Sequence, residues 1–205
     1  MKIKCLSLGP IGTNCYILSK KNKGLIVDPG AEADRIIEYL KLEKIDPLAI
    51  LLTHAHFDHI GAVDQLRDQY AIFAYLHKGE ANWMADPDLN GSNHFPLGQI
   101  TAKPADYFFN EEVMSIGDFS FKILETPGHS PGGVSFVFAE EQIVLSGDCL
   151  FQQSIGRTDL IGGNQAKLIA SIKNVLFRLP DRYTVYPGHG PKTDIKFERN
   201  HNPFL

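Results

Sequence analysis

The chain has 205 residues, of which 43% are hydrophobic and 21% charged, a composition that predicts a single folded domain over residues 1–205. Its 20 Lys and Arg against 24 Asp and Glu give a net charge of −4, so no surplus of positive charge is present to hold nucleic acid. The longest purely apolar run, residues 48–52, is far shorter than the roughly 20 residues of a membrane-spanning helix. We therefore expect a soluble protein with neither a nucleic-acid nor a membrane partner.

The N-terminal segment and the cysteines indicate the compartment. Residues 1–10 alternate Lys with apolar residues and lack both the continuous apolar region and the cleavage site of a signal peptide. The three cysteines, Cys5, Cys15 and Cys149, are an odd number without Cys-x-x-Cys spacing, which is typical of reduced thiols that serve in packing. We expect a cytoplasmic location.

The first third of the sequence alternates short apolar runs with helical spacing, and Gly, Pro or Asp stands at nearly every junction, as in α/β proteins. An antiparallel pair is predicted around the turn at residues 9–12. A helix containing Ile36, Ile37 and Leu40 is predicted after Asp34, its N-cap candidate, and Pro47 marks the exit toward the next strand. Predicted strands in this region are residues 3–8, 16–18, 25–27, 50–53 and 72–76, with helical spacing again over 62–70.

The remaining sequence keeps the same alternation. Residues 78–85 are predicted as a short helix, 86–105 as a loop rich in Pro and Gly, and 166–177 as an amphipathic helix. Two runs of several strands, each with helices, predict two β-sheets packed face to face with helices outside. The further predicted strands are residues 119–123, 134–138, 143–145 and 184–186.

The strongest chemical signal is the segment Thr53-His54-Ala55-His56-Phe57-Asp58-His59, where four potential metal ligands fall within six residues of a predicted loop. Imidazole nitrogen and carboxylate oxygen together suit a divalent transition ion: zinc, with iron and manganese as alternatives. In a loop, His54 and His56 can share one face while Asp58 and His59 point to a neighbouring position. A structural explanation is unattractive because so many titratable groups placed together are costly unless they are paired or metallated.

Three further candidates follow apolar strands and stand beside glycine: His129 after Gly128, Asp148 after Gly147, and His189 after Gly188. Glycine lets a loop bring its neighbouring ligand close to a crowded ion. Each alone would be an ordinary turn residue. All seven donors exceed what one ion recruits from protein, so the sequence predicts a site with two metal ions.

Other polar residues carry weaker signals. Asp28 is either an acceptor that orients a ligand histidine or a plain turn residue. Arg157, Lys192 and Arg199 could hold an anionic substrate tail, although a solvated face or a salt bridge is the better explanation for any one of them. Cys149 is a poor candidate nucleophile because it points away from Asp148 in an extended chain. The remaining histidines do not follow a strand and a glycine, so we expect them to have surface or capping roles; they are His77, His94 and His201.

The order His54-x-His56-x-Asp58-His59, His129, Asp148, His189 resembles the metallo-β-lactamase superfamily over nearly the whole chain. The segments Val27-Asp28-Pro29-Gly30 and Thr126-Pro127-Gly128-His129 are most similar to the glyoxalase II group, the hydroxyacylglutathione hydrolases, and the C-terminal Asn202-Pro203-Phe204-Leu205 to their short form. The resemblance implies a four-layer αβ/βα sandwich of two mixed sheets. It also implies that one ion is held by His54, His56 and His129, the second by Asp58, His59 and His189, and that Asp148 bridges them.

The resemblance implies a small-molecule thioester as substrate, cleaved by a metal-bridging hydroxide into a hydroxy acid and a thiol, with Asp58 and Asp148 as catalytic carboxylates. Full-length glyoxalase II enzymes continue into a helical extension that supplies part of the glutathione site, and no such extension follows His189 here. Two alternatives remain open: a mononuclear-iron persulfide dioxygenase and a lactone or β-lactam hydrolase on the same fold.

Overall fold

The computed structural model describes residues 1–205, which divide into two compact units. The first comprises residues 1–109 with 115–119, and the second comprises 110–114 with 120–205. Each unit is built on a mixed six-stranded sheet with helices of its own. The predicted single domain stays a prediction.

The sheet of the first unit has the order β1-β2-β3-β4-β5-β6, antiparallel from β1 to β3 and parallel from β3 to β6. The predicted antiparallel start is confirmed, and β2 is buried on both faces. Its elements in chain order are β1 (Lys2–Leu8), β2 (Thr13–Lys20), β3 (Lys23–Val27), α1 (Ala33–Leu42), β4 (Asp46–Leu51), α2 (Phe57–Ile60), α3 (Val63–Tyr70), β5 (Phe73–Leu76), 3-10 turns at Lys78–Glu80 and Ser92–His94, and β6 (Tyr107–Phe108).

The second sheet belongs to the second unit, except for residues 115–116 and 119 at the ends of its strands, which count with the first. Its order is β14-β13-β10-β9-β8-β7, and β10 and β13 are its parallel neighbours. The alternation predicted for residues 119–123 is confirmed, because Phe119, Phe121 and Ile123 are buried and the residues between them exposed. Its elements are β7 (Val113–Ile116), β8 (Phe119–Glu125), β9 (Val134–Phe138), β10 (Ile143–Gly147), β11 (Leu150–Phe151), β12 (Ser154–Ile155), α4 (Gln165–Asn174), a 3-10 turn at Leu176–Arg178, β13 (Thr184–Pro187), β14 (Thr193–Asp194) and α5 (Ile195–His201).

Each unit has an apolar core of its own. In the first, Ile36 and Leu40 of α1 and Val63 of α3 pack into one cluster with the strand residues Ile26 and Ile50. In the second, Leu168 and Ile172 of α4 pack with Val144 and Val185. The i, i+3 and i, i+4 spacing that predicted these helices is therefore the spacing of the buried positions.

Several predicted boundaries are wrong. Asp34 is not the N-cap of α1: Glu32 holds that position in a left-handed conformation, and the Asp34 carboxylate accepts from Gln65. Pro47 lies inside β4 and does not precede it. The helix predicted to run to residue 177 ends at Asn174 and continues as a 3-10 turn. The short strands β6, β7, β11, β12 and β14 were not predicted, because runs of two to four residues carry too little periodicity. Helix α5, of seven residues, was not predicted either.

The thiols are as predicted, with one exception. All three cysteines are free, and Cys15 and Cys149 are buried, but Cys5 is exposed and does not serve in packing. None of the helices reaches the length and hydropathy that crossing a bilayer requires.

Candidate metal centre

In the first unit, four predicted ligands follow β4 directly. His54 and His56 precede α2, with His56 on extended backbone, whereas Asp58 and His59 lie in the single turn of α2, so the predicted continuous loop is wrong for these two. The ring centroids of His54 and His59 are 4.1 Å apart, and those of His54 and His56 are 4.8 Å apart. Asp58 Oδ2 lies 3.4 Å from His59 Nε2. The irregular segment before Phe57 and the helical turn of α2 thus bring all four side chains close together.

Asp28 organises this first cluster from the end of β3. Its two carboxylate oxygens accept from the backbone N–H and the hydroxyl of Thr53 at 2.8 and 2.7 Å, and its Oδ2 lies 3.1 Å from His59 Nδ1. The backbone of Asp28 is left-handed, with a φ of 51°, but residues 28–30 are not assigned to a turn. The contacts therefore favour the orienting role, which concerns a histidine predicted to bind metal.

Two further residues of this cluster carried no sequence signal. Glu80 is fully buried, and its Oε2 accepts the backbone N–H of Ala55, between His54 and His56, at 2.6 Å. Thr13, at the start of β2, donates its hydroxyl to Asp58 Oδ2 at 2.6 Å. A Glu in a polar stretch and a Thr after a turn are ordinary residues, so only long-range contacts reveal these roles.

In the second unit, the three predicted ligands follow β8, β10 and β13. These strands run in the same direction because β10 is parallel to β13 and antiparallel to β9, which is itself antiparallel to β8. Their carboxyl ends share one sheet edge, where open α/β sheets commonly bind ligands. Asp148 Oδ2 lies 3.5 Å from both His129 Nε2 and His189 Nε2. The second unit therefore brings His129, Asp148 and His189 together.

The predicted role of glycine is confirmed at two of the three positions, Gly128 and Gly147. Gly128 and Gly147 have φ angles of 136° and 50°, and a Cβ on Gly128 would lie 2.2 Å from the backbone nitrogen of Leu168 in α4. Since side-chain-bearing residues rarely adopt such angles and no Cβ fits that gap, the position before His129 requires glycine.

The donor chemistry of both clusters fits divalent metal ions. The Nδ1 atoms of three histidines are engaged by neighbours: His54 with Thr53 Oγ1 at 3.1 Å, His59 with Asp28, and His129 with the carbonyl of Arg157 at 2.8 Å. Metal-ligating histidines characteristically use one ring nitrogen for such a contact and the other for the ion. Histidine and aspartate in these arrangements suit zinc, iron or manganese.

Three of the remaining polar candidates, Arg157, Arg199 and His77, have structural roles. Arg157 makes a bidentate pair with Asp159, at 2.7 and 2.8 Å, which lowers the pKa of that carboxyl to about 2. Arg199 pairs with Asp181 and donates to the carbonyls of Phe177 and Leu179. His77 caps the turn that follows it by accepting from Gly79. Burial raises the pKa of the Cys149 thiol to about 12, which opposes a nucleophilic role.

A sequence profile described as the metallo-beta-lactamase superfamily matches residues 8–189. The chain belongs to the metallo-β-lactamase superfamily. Two relatives agree with this membership over their whole lengths. A probable metallo-hydrolase of Bacillus subtilis, YqgX, is 50% identical and covers 100% of this chain and 98% of its own. The hydroxyacylglutathione hydrolase GloC of Haemophilus influenzae is 34% identical with the same coverage, which supports the glyoxalase II-like short form.

Solved structures agree with this superfamily assignment. The B3 metallo-β-lactamase BLEG-1 is 53% identical, with a TM-score of 0.97, over 100% of this chain and 99% of that one. TTHA1623, solved in a di-iron-bound form, is 38% identical, with a TM-score of 0.90, over 98% of this chain and 100% of that one. The predicted α/β metallo-β-lactamase fold is confirmed, and the protein is a metallo-hydrolase of that superfamily.

Proposed function

We propose that this metallo-hydrolase is a binuclear thioester hydrolase, and that the ligand clusters of its two units form one metal centre within one catalytic domain. In this proposal His54, His56 and His129 hold one ion, Asp58, His59 and His189 hold the other, and Asp148 bridges them. The ions are Zn²⁺, with iron or manganese as alternatives. The substrate is a small-molecule thioester in the cytoplasm.

The position of Asp148 carries this proposal. One carboxylate oxygen lies 3.5 Å from the Nε2 atoms of both His129 and His189, which are assigned to different ions. A carboxylate that serves two ions must approach a ligand of each, and this one does. The di-iron form of TTHA1623 and the hydroxyacylglutathione hydrolase activity named for GloC support the same reading.

Bound divalent ions supply a nucleophile at neutral pH, by lowering the pKa of coordinated water to about 7, and polarise the substrate carbonyl. The chain's own contribution is to hold the ligands. Asp58 and Asp148 act as the catalytic carboxylates, which offset part of the positive charge and fix where the ions bind. Thr13 restrains Asp58 through its 2.6 Å hydrogen bond.

Hydrolysis of a thioester places few further demands on the protein. The oxygen of water bonds to the acyl carbon, the C–S bond breaks, and its electron pair leaves with sulfur. The two protons of the water pass to solvent as the carboxylic acid product ionises. A thiol has a pKa near 8.5, so the thiolate departs without a general acid. The absence of a need for a general acid agrees with the two ligand clusters. They consist of the proposed metal-binding histidines and carboxylates and of the groups that hold these in place.

The test is thiol release from a thioester panel by the Zn²⁺-loaded protein. His54→Ala and Asp148→Ala, one from each cluster, are expected to lower kcat/KM by more than the roughly 100-fold that loss of an outer metal-site partner can cost. His201→Ala is the matched control, since this exposed histidine contacts only its own helix in α5. Full activity after metal removal would contradict the proposal, and oxygen consumption with glutathione persulfide would favour the dioxygenase.

β-Lactam hydrolysis is the second candidate, favoured by the 53% identity to BLEG-1. It uses the same ligands and the same attack on a carbonyl carbon. Cleavage of a β-lactam at a higher kcat/KM than every thioester in the panel would select it.

A further inference from the structure

A small apolar cavity of about 130 Å³ opens beside Asp58 in the first unit. Asp58 is the only charged residue among those that line it, and the others are apolar residues or glycines. The larger of the apolar residues are Leu8, Pro10, Ile11, Phe57, Leu97 and Ile100. The cavity therefore joins an apolar surface to a proposed metal ligand.

One wall of the cavity is connected to the Asp58 carboxylate through a hydrogen bond. The turn at residues 9–12 forms one side of the cavity and leads directly into Thr13, whose hydroxyl donates to Asp58 Oδ2. Phe57 and Asp58 are consecutive residues of α2 and line the cavity together. A group in the cavity would therefore lie next to the proposed reaction site.

Both rims of the cavity are held in place by hydrogen bonds. On one side the backbone N–H of Gly9 donates to Glu32 Oε1 at 2.6 Å. On the other, the buried Asn90 donates its side-chain amide to the carbonyl of Ile100 at 2.8 Å. Ile11 and Leu97, on these rims, are 42% and 39% exposed, so two large apolar side chains face solvent at one opening. A fixed, solvent-exposed apolar cavity is suited to a ligand.

We propose that this cavity binds a short apolar acyl side chain of the substrate, so that the preferred thioesters carry an aliphatic or small aromatic acyl group. This inference rests on the proposed thioester hydrolysis. Because an apolar cavity of roughly 150 Å³ holds a benzene ring, the present one accepts a branched alkyl chain of similar size. The cavity is too small for a peptide-sized thiol, so we assign it to the acyl half of the thioester substrate.

The experiment compares an isovaleryl with a glycolyl thioester of the same thiol. Each buried methylene favours binding about fourfold, so the wild-type protein should prefer the isovaleryl ester by about tenfold or more. The double substitution Ile11→Ser and Leu97→Ser removes the apolar side chains of both rims. It should lower the preference for the isovaleryl ester about tenfold, while kcat/KM for the glycolyl ester stays within about twofold of the wild-type value. Leu42→Ser is the matched control, because Leu42 is 75% exposed at the end of α1, outside the cavity.

A binding measurement keeps this test separate from that of the function. Calorimetric titration of the metal-loaded protein should show isovalerate binding more tightly than glycolate, with the difference lost in the double variant. Equal isovalerate affinity in the double variant and the wild type would overturn the cavity proposal, whether or not thioesters are cleaved. If thioesters are not cleaved but isovalerate binding depends on the two rims, thioester hydrolysis is refuted and the apolar site stands.

Discussion

Several polar side chains near the proposed metal centre act by positioning another residue. Asp28 contacts Thr53 and His59, Glu80 holds the backbone between His54 and His56, and Thr13 holds Asp58. Ligand histidines in metalloproteins depend on such contacts for ring orientation and tautomer. The positioning residues should therefore affect metal affinity before they affect folding.

Asp28→Asn tests this at the residue scale. The amide can keep its oxygen on the Thr53 N–H, which then places its NH₂ group toward His59 Nδ1, where a carboxylate oxygen now lies. His59 would be forced into the tautomer with its proton on Nε2. We expect metal affinity to fall 10- to 100-fold, measured by competition with a chelator.

The exposed pair of Lys23 and Asp46 offers the control for this substitution, Asp46→Asn. An Asp28→Asn protein that binds metal as tightly as wild type would show that Asp28 does not orient His59 for metal binding.

At the scale of elements, the short helix α2 decides where Asp58 and His59 lie. It has four residues and is held at both ends: Phe57 N–H donates to the carbonyl of Asn90 at 3.0 Å, and Ala62 N–H donates to that of Pro29 at 2.9 Å. The segment Asp28-Pro29-Gly30 packs directly against it. A Cβ on Gly30 would lie 1.6 Å from the carbonyl oxygen of Asp58.

Gly30→Ala should therefore displace α2 and, with it, both ligands. Because the neighbour is backbone and cannot rotate away, we expect a loss of about 1–3 kcal/mol or more in the free energy of unfolding, together with weaker metal binding. Urea unfolding and a metal titration measure the two effects.

Gly98→Ala is the control for the added methyl group. A Cβ there meets nothing within 4 Å, so only its positive φ of 80° opposes the substitution. A Gly30→Ala protein as stable as the Gly98→Ala protein would contradict the close approach.

At the scale of the whole molecule, each unit gathers its own ligand set, and our proposal joins the two sets in one centre. Two-metal sites hold their ions about 3.5–4 Å apart. Protein loaded with two Mn²⁺ ions per chain should therefore give a spin-coupled electron paramagnetic resonance spectrum. Either His56→Ala in the first unit or His189→Ala in the second should abolish the coupling. Two uncoupled signals in the wild-type protein would show that the sets bind metal separately.

A shared centre also links metal to stability. Ions that bind only the folded chain stabilise it by about 2.7 kcal/mol at a free concentration 100 times the dissociation constant. Chelation should accordingly lower the thermal midpoint, and added Zn²⁺ should restore it, as scanning calorimetry would record. A midpoint that does not respond to chelation would contradict tight metal binding by the folded chain.

The sequence by itself determined the chemistry and most of the core. The period-two spacing in β8 and the helical spacing in α1 and α4 follow from local sequence, because burial of one face leaves a repeat that can be read directly. The seven candidate donors are also local features of the sequence: four cluster in residues 54–59, and three follow a strand and a glycine. The short strands and the C-terminal end of α4 could not be predicted, because contacts with other segments of the chain, and not their own residues, decide where they begin and end.

Only the tertiary structure decided how the donors are held. Asp28 meets His59, Glu80 meets Ala55 and Thr13 meets Asp58 across 25 to 45 positions of sequence. Contacts of this kind are made by elements that the chain brings together from afar, so no local pattern records them. The same holds for the apolar cavity beside Asp58, whose walls come from residues 8–11, 30–31, 57–58, 97 and 100. Residue types thus specify what the site can bind, and folding specifies its geometry and the acyl group that we expect it to prefer.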